Sequence, residues 1–170
     1  VAALSAAIVF AASLSHLLAS PALYGVTWDA AVTNNNGTGV GPMMAPVRHD
    51  RQVAAWATFL AGVPLRTGRT EFEAIVLEMP RGASFFPAPV TGRLPRTSQE
   101  IALGPRTLRQ LHARVGGTIQ VSLSEYPVRP MTIVGATVFP ALSDTLGLGT
   151  GAALTPGGIR HLLPAKVRNP

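Results

Sequence analysis

The chain has 170 residues, enough for one domain with at most a short appendage, and is 47% hydrophobic but only 13% charged, where soluble domains carry roughly 25% charge. It has no cysteine, which excludes disulfides, thiolate metal sites and cysteine nucleophiles. The net charge is +6, but the arginines are scattered from Arg48 to Arg168. Only Arg106, Arg109 and Arg114 cluster, with no aromatics between them, which argues against a nucleic-acid surface.

A solvated surface that uses Arg in place of Lys accounts for this charge, and weak attraction to anionic headgroups remains open. The low charge points to a membrane or a large interface. The 17 Gly and 15 Pro imply many turns and short elements. The first residue is Val and not Met, which suits a piece of a longer chain.

Residues Val1 to Ala19 are uncharged, and no formal charge precedes Asp29. A helix of that length spans roughly 28 Å at about 1.5 Å per residue, close to a hydrocarbon core. Three readings fit: the outer part of a transmembrane helix, a signal peptide, or an ordinary buried helix. The signal-peptide reading lacks a basic start and a good cleavage site. Length and absence of charge favour the first. The Ala- and Ser-rich composition suits close packing of membrane helices. His16 falls near the helix end without a partner for proton relay, and Ser20-Pro21 stops the helix.

Tyr24 to Thr33 alternates, with Val26, Trp28, Ala30 and Val32 on one face, which predicts a half-buried strand. Asn34 to Pro42 is a Gly-rich loop lacking the lysine and hydroxyl residue of a phosphate loop. Pro46 to Ala61 is expected to be helical, with Val53, Trp56, Ala57 and Leu60 inward and Gly62 and Pro64 as its stop. His49 and Asp50 point apart on such a helix and form no catalytic pair. Glu71 to Met79 reads as a strand, and Pro80 to Pro89 as a turn-rich stretch. There Phe85 and Phe86 belong to either a satellite core or an interface.

The next run is compact. Gly92 to Pro95 is a turn, Glu100 to Leu103 a strand, and Gly104-Pro105 opens a helix to about His112. Val115 to Thr118 turns into a strand at Ile119 to Leu123. A hairpin over Glu125 to Pro130 leads to a strand at Met131 to Phe139. Pro140 to Gly151 is a loop, and Thr155-Pro156 caps a last helix to Leu163. Lys166, Arg168, Asn169 and Pro170 form a tail. Tight turns between the later strands favour antiparallel pairing. The expected fold is α+β: a mixed, mainly antiparallel sheet with short helices, preceded by an N-terminal transmembrane helix segment. Residues 1–20 are the membrane helix, 21–165 the extracytoplasmic domain, and 166–170 the tail toward a next membrane helix.

No catalytic constellation emerges. His16, His49, His112 and His161 are never three or four apart, so no local metal pair exists. Glu71 and Glu73 share a strand face, which a charged solvent face explains better than a cation site does. Asp144-Thr145-Leu146-Gly147 departs from the aspartic-protease pattern. Gly82-Ala83-Ser84-Phe85-Phe86 departs from the nucleophile elbow. No catalytic, cofactor-binding or metal residues are therefore expected, and no cofactor.

One run carries more. It comprises Gly92-Arg93-Leu94-Pro95, Glu100-Ile101-Ala102-Leu103-Gly104, a helix with Leu108 and Leu111, Val115-Gly116-Gly117-Thr118, and two strands ending in Ile133-Val134-Gly135. It resembles the extracytoplasmic, MacB-like periplasmic core domain of FtsX-like ABC-transporter permeases. That family usually has Asp where this chain has Gly117. The resemblance implies a domain between the first and second membrane helices, without catalytic residues of its own. It implies as partners a cytoplasmic ABC ATPase subunit, which hydrolyses the ATP, and a second permease copy in a dimer. It also implies an external protein partner or a lipid or lipoprotein substrate, and a place in the cell (inner) membrane with the domain periplasmic or extracellular. The alternative from composition is a secreted or membrane-tethered hydrolase or binding module.

Overall fold

The computed structural model describes residues 2–20, 25, 27–32, 41–80, 86–141, 146–164 and 167. Among these, four helices and seven strands are ordered α1 (Ala2–Leu18), α2 (Gly41–His49), β1 (Thr58–Thr67), β2 (Thr70–Glu78), β3 (Ala88–Gly92), β4 (Glu100–Leu103), α3 (Pro105–Gln110), β5 (Thr118–Leu123), β6 (Arg129–Val138), β7 (Ala152–Leu154) and α4 (Pro156–Leu162). The strands form one sheet in the order β3-β6-β4-β7-β2-β1-β5, and β5 pairs back onto β6. Six strands thus close a ring, from which β3 projects.

The sheet is mixed and mainly antiparallel, as the turns predicted. β4 with β6 and β2 with β7 are the parallel pairs. β1 with β2, β1 with β5, β3 with β6, β4 with β7 and β5 with β6 are antiparallel. The ring closes narrowly, through Leu65 opposite Leu123 and Arg66 opposite Ser122.

Alternation along the strands sends side chains to two sides. Ile101 and Leu103 of β4 join Leu65, Val121, Met131, Ile133, Ala152 and Leu154 in one core. Helices α3 and α4 pack Leu108 and Ile159 against it and sink Leu162 into it. Ala102, between Ile101 and Leu103, belongs to a second core with Ile75, Leu77, Phe86, Phe139, Leu146 and Ala153. Each fully buried Leu, Ile or Phe side chain contributes roughly 1.5–3 kcal/mol. Phe86 is 2% exposed and meets Trp28 edge-on at 4.8 Å and Phe59 at 5.3 Å. Phe86 is therefore a core residue, while Phe85 lies outside the described residues.

Several expectations need correction. The helix expected over Pro46 to Ala61 ends at His49. Asp50 Oδ1 accepts a hydrogen bond from the Gln52 amide at 2.8 Å, a local bond that competes with helix continuation. Trp56 and Leu60, which look like a helix face, instead lead into and lie on β1. That strand gains a register of partners from Thr58 opposite Glu78 to Thr67 opposite Thr70. Gly62 sits in an irregularity between Leu60 and Val63, with φ 77°, and Pro64 stays in the strand. Proline is tolerated there because β5 pairs with β1 only at Leu65 and Arg66.

No strand forms over residues 27–32. Trp28 is packed, but Ala30 and Val32 are exposed, so the alternation marks one anchor and not a strand face. Tyr24, Val26 and Thr33 lie outside the described residues, as do Asn34 to Val40, Asp144, Ser84 and the tail at Lys166, Arg168, Asn169 and Pro170. β3 lies partly within the stretch read as turns. β7 lies just beyond the predicted loop, and Leu148 within that loop bridges to Phe139.

α1 has 17 residues, a rise of about 26 Å, and its described side chains from Leu4 to Ala19 are exposed. Among the described residues, no helix is long and apolar enough to cross a membrane by itself. α4 begins as predicted, with Thr155 Oγ1 accepting from the Gly158 amide at 3.0 Å.

The tightest backbone approach lies between β3 and β6. Gly92 has φ 72° and stands opposite Gly135. A Cβ at Gly135 would collide with the Arg93 carbonyl, and one at Gly92 with the Val134 carbonyl. Replacing Gly135→Ala is expected to destabilise the domain by about 3 kcal/mol or more through forced backbone separation. Gly41→Ala, which meets nothing within 4 Å, should stay within about 0.5 kcal/mol. Urea unfolding of both variants checks the contrast.

Candidate functional site

Among the described residues, the histidines and carboxylates do not converge on one site. His16 closes α1, His49 closes α2, His112 follows α3 and His161 lies in α4. Among the described residues, no group of three or more His, Asp or Glu is placed to hold a metal ion. Glu71 stands opposite Arg66 in the β1–β2 register and Glu73 opposite Pro64, so the two carboxylates face different neighbours. A groove of about 240 Å³ lies between the β1–β2 and β5–β6 ends, lined by Pro64, Leu65, Arg66, Glu71, Ser124 and Glu125. Its polar lining residues, Arg66, Glu71, Ser124 and Glu125, are all exposed.

The strongest polar constellation is instead the one at Glu100. Arg93 Nη1 donates to Glu100 Oε2 at 2.8 Å and Nη2 to Oε1 at 2.7 Å, a two-point fork. The amides of Arg96 and Thr97 donate to the same Oε2 at 2.8 and 3.2 Å. One carboxylate therefore gathers the whole connection between β3 and β4. Its side chain is 14% exposed, against 42% for Arg93. The Arg93 hydrogen bonds, aided by the two amides and opposed by partial burial, hold the Glu100 carboxyl at a pKa of about 2. The same contact raises Arg93 above its ordinary value. A carboxylate held so low carries no proton at neutral pH and serves poorly as a general acid or base.

Backbone contacts extend the clamp. The Arg93 amide donates to Val134 O at 3.0 Å, which fixes the guanidinium's origin beside β6. Thr132 donates to Gln99 O at 2.8 Å, and Gly116 to Ile133 O at 2.7 Å. On the far side of β4, Gly104 donates to Gly151 O at 2.9 Å. The buried Thr107 hydroxyl accepts from the Gly151 amide at 3.0 Å. The elements from Gly92 to Gly135 are thus cross-braced into one body with β7. Within the turn at Val115 to Thr118, Gly116 has φ 89°. Gly117, where the resembling family has Asp, does not need a positive φ.

The sequence flagged Gly92-Arg93 and Glu100 as motif positions but not as partners. Their seven-residue separation has no secondary-structure period, and only the turn at Leu94 to Gln99 brings them together.

No family model matches the chain, and no curated protein matches it. Among solved structures, it is similar to the crystal structure of a domain of a protein designated a permease, from Porphyromonas gingivalis. The identity is 17% and the TM-score 0.42, over 68% of this chain and 54% of that one. The chain therefore spans about half the length of that structure.

The clamp has a pH signature. The folded-state pKa of Glu100, about 2, lies below the ordinary value of 4.5. Its contribution is present in full above pH 4.5 and is lost as pH falls through about 2. Glu100→Gln is expected to cost about 1–3 kcal/mol at pH 7. It should also remove this component of the acid-side loss of stability. Urea midpoints at pH 7, 4.5 and 2.5 measure both effects, and equal acid slopes in the two proteins would contradict the assignment.

Proposed function

We propose that the chain is the extracytoplasmic domain of an ABC-transporter permease subunit of the FtsX-like, MacB-like kind. The observation that carries the reading is that the resembling motifs are the joints of a single braced body. Gly92 and Gly135 permit the strand crossing, Arg93 and Glu100 form the fork, and Gly104 carries the link to Gly151. Motifs used in this way transmit displacement and do no bond-breaking. A body whose connections are closed by hydrogen bonds at both ends of β4 moves as a unit when pushed.

In this reading α1 is the outer part of the first membrane helix. Its uncharged sequence and its exposed Leu4, Ile8, Phe10, Leu14 and Leu18 side chains suit lipid or neighbouring helices. A separate cytoplasmic ATPase subunit hydrolyses ATP, and the permease works as a dimer. The domain passes the resulting motion to a substrate being exported or extracted, or to an external protein partner. It sits at the cell membrane on the periplasmic or extracellular side.

These 170 residues hold no cysteine, so once any cysteine elsewhere in the complete permease is replaced by serine, one introduced thiol reports on one position. A single Gln120→Cys change places a thiol at an exposed position of β5. In the complete permease, a membrane-impermeant maleimide should label it in intact cells, and an ATP-hydrolysing subunit should co-purify. Within that complex, Arg93→Ala should lower export more than it lowers ATP hydrolysis, because it loosens the transmitting body and leaves the ATPase untouched. Labelling only after lysis, or hydrolase activity of the chain alone, would sink the reading.

A further inference from the structure

α2 is a helix that its own sequence and packing do not hold. It has nine residues, Pro46 lies inside it, and none of its residues is buried. Helices shorter than about 12 residues are marginal in water, and an interior proline removes a backbone hydrogen bond. Something outside the helix must fix it.

Among the described residues, the ion pair and the ring contact that join α2 to the sheet are both made by Arg48. Its guanidinium carbon stands 4.6 Å from the centre of the Trp56 ring, just ahead of β1. Its Nη2 lies 3.7 Å from Glu78 Oε1 at the end of β2. Thr58 Oγ1 donates to the other oxygen of Glu78 at 3.4 Å, which steadies that carboxylate. The ion pair is exposed, with side-chain accessibilities of 42% and 55%.

We infer that α2 is a releasable strap whose polar latch, among the described residues, is Arg48 at the open end of the β1–β2 hairpin. Neither core cluster includes a residue of α2. Lifting the strap therefore leaves both cores closed and frees the Trp56 ring and the Glu78 carboxylate from Arg48. The latch has two unlike halves. The ion pair is screened by salt, and the ring contact is screened less. Docking and release are consequently local events, separate from unfolding.

Amide exchange of the full chain, solubilised in detergent and followed by mass spectrometry, tests this. In the unaltered protein, residues 43–49 should exchange more slowly than an unstructured peptide. Arg48→Ala should accelerate them about tenfold and leave β1 and β2 within about twofold. Glu78→Gln should give a smaller acceleration of roughly two- to fivefold, and 0.5 M NaCl should reproduce the effect of that change but not that of Trp56→Leu. The Glu78 variant retains the Trp56 contact and guards against a misfolded Trp56 variant. Three outcomes would overturn the latch: α2 unprotected in the unaltered protein, α2 exchange unchanged by Arg48→Ala, or β1 and β2 accelerated by the same factor as α2.

Discussion

Strand β6 carries three neighbours on two edges. β5 pairs with its first part and β3 with its last part along one edge, while β4 takes the other. The exchange from β5 to β3 is tight around Gly135, which is opposite both Gly92 and Ala102. A side chain there would strike the Arg93 carbonyl. Because the backbones approach so closely, Arg93 bonds Val134 through its amide and still reaches Glu100 with its guanidinium. The path of the β3–β4 connection depends on that approach.

The Arg93–Glu100 fork spends charge on position. An exposed ion pair contributes little, but this one is bidentate, its acid is mostly covered, and two backbone amides share the same oxygen. Hydrogen bonds to a charged group are worth about 1.5–3 kcal/mol, and here they fix a connection with no regular structure of its own. A polar cluster in a small domain can therefore be strongly organised without being catalytic. Its organisation is what suits it to the proposed mechanical role.

The periphery follows different physics. α1 is uncharged and exposed along its described length, while α2 is short, has no fully buried residue and meets Trp56 and Glu78 through Arg48. Among the described residues, the ring is braced by hydrogen bonds between its strands, whereas neither N-terminal helix contributes a residue to either core. In a permease domain driven through its membrane helix, that division would let the ring move as a body while its attachments adjust.

The sequence by itself determined the elements whose signals are local. The strands at Glu71 to Met79, Glu100 to Leu103 and Ile119 to Leu123 were legible as short runs between turns. The helices at Pro105 and Pro156 were legible from proline at the first position and, for the latter, from the Thr155 cap. It also foresaw a mainly antiparallel sheet. It did not separate strand from helix at Trp56 to Leu60, because an apolar residue every three or four positions also fits a strand once a partner is available. It made a strand of Trp28's surroundings, where the fold uses one ring. It could not see β7, whose Ala-Ala-Leu has no local preference and becomes a strand only between β2 and β4. Nor could it pair Arg93 with Glu100, or α2 with Glu78. Those contacts join residues across a turn or across the sheet, and only the tertiary structure supplies the distances at which charge and backbone act.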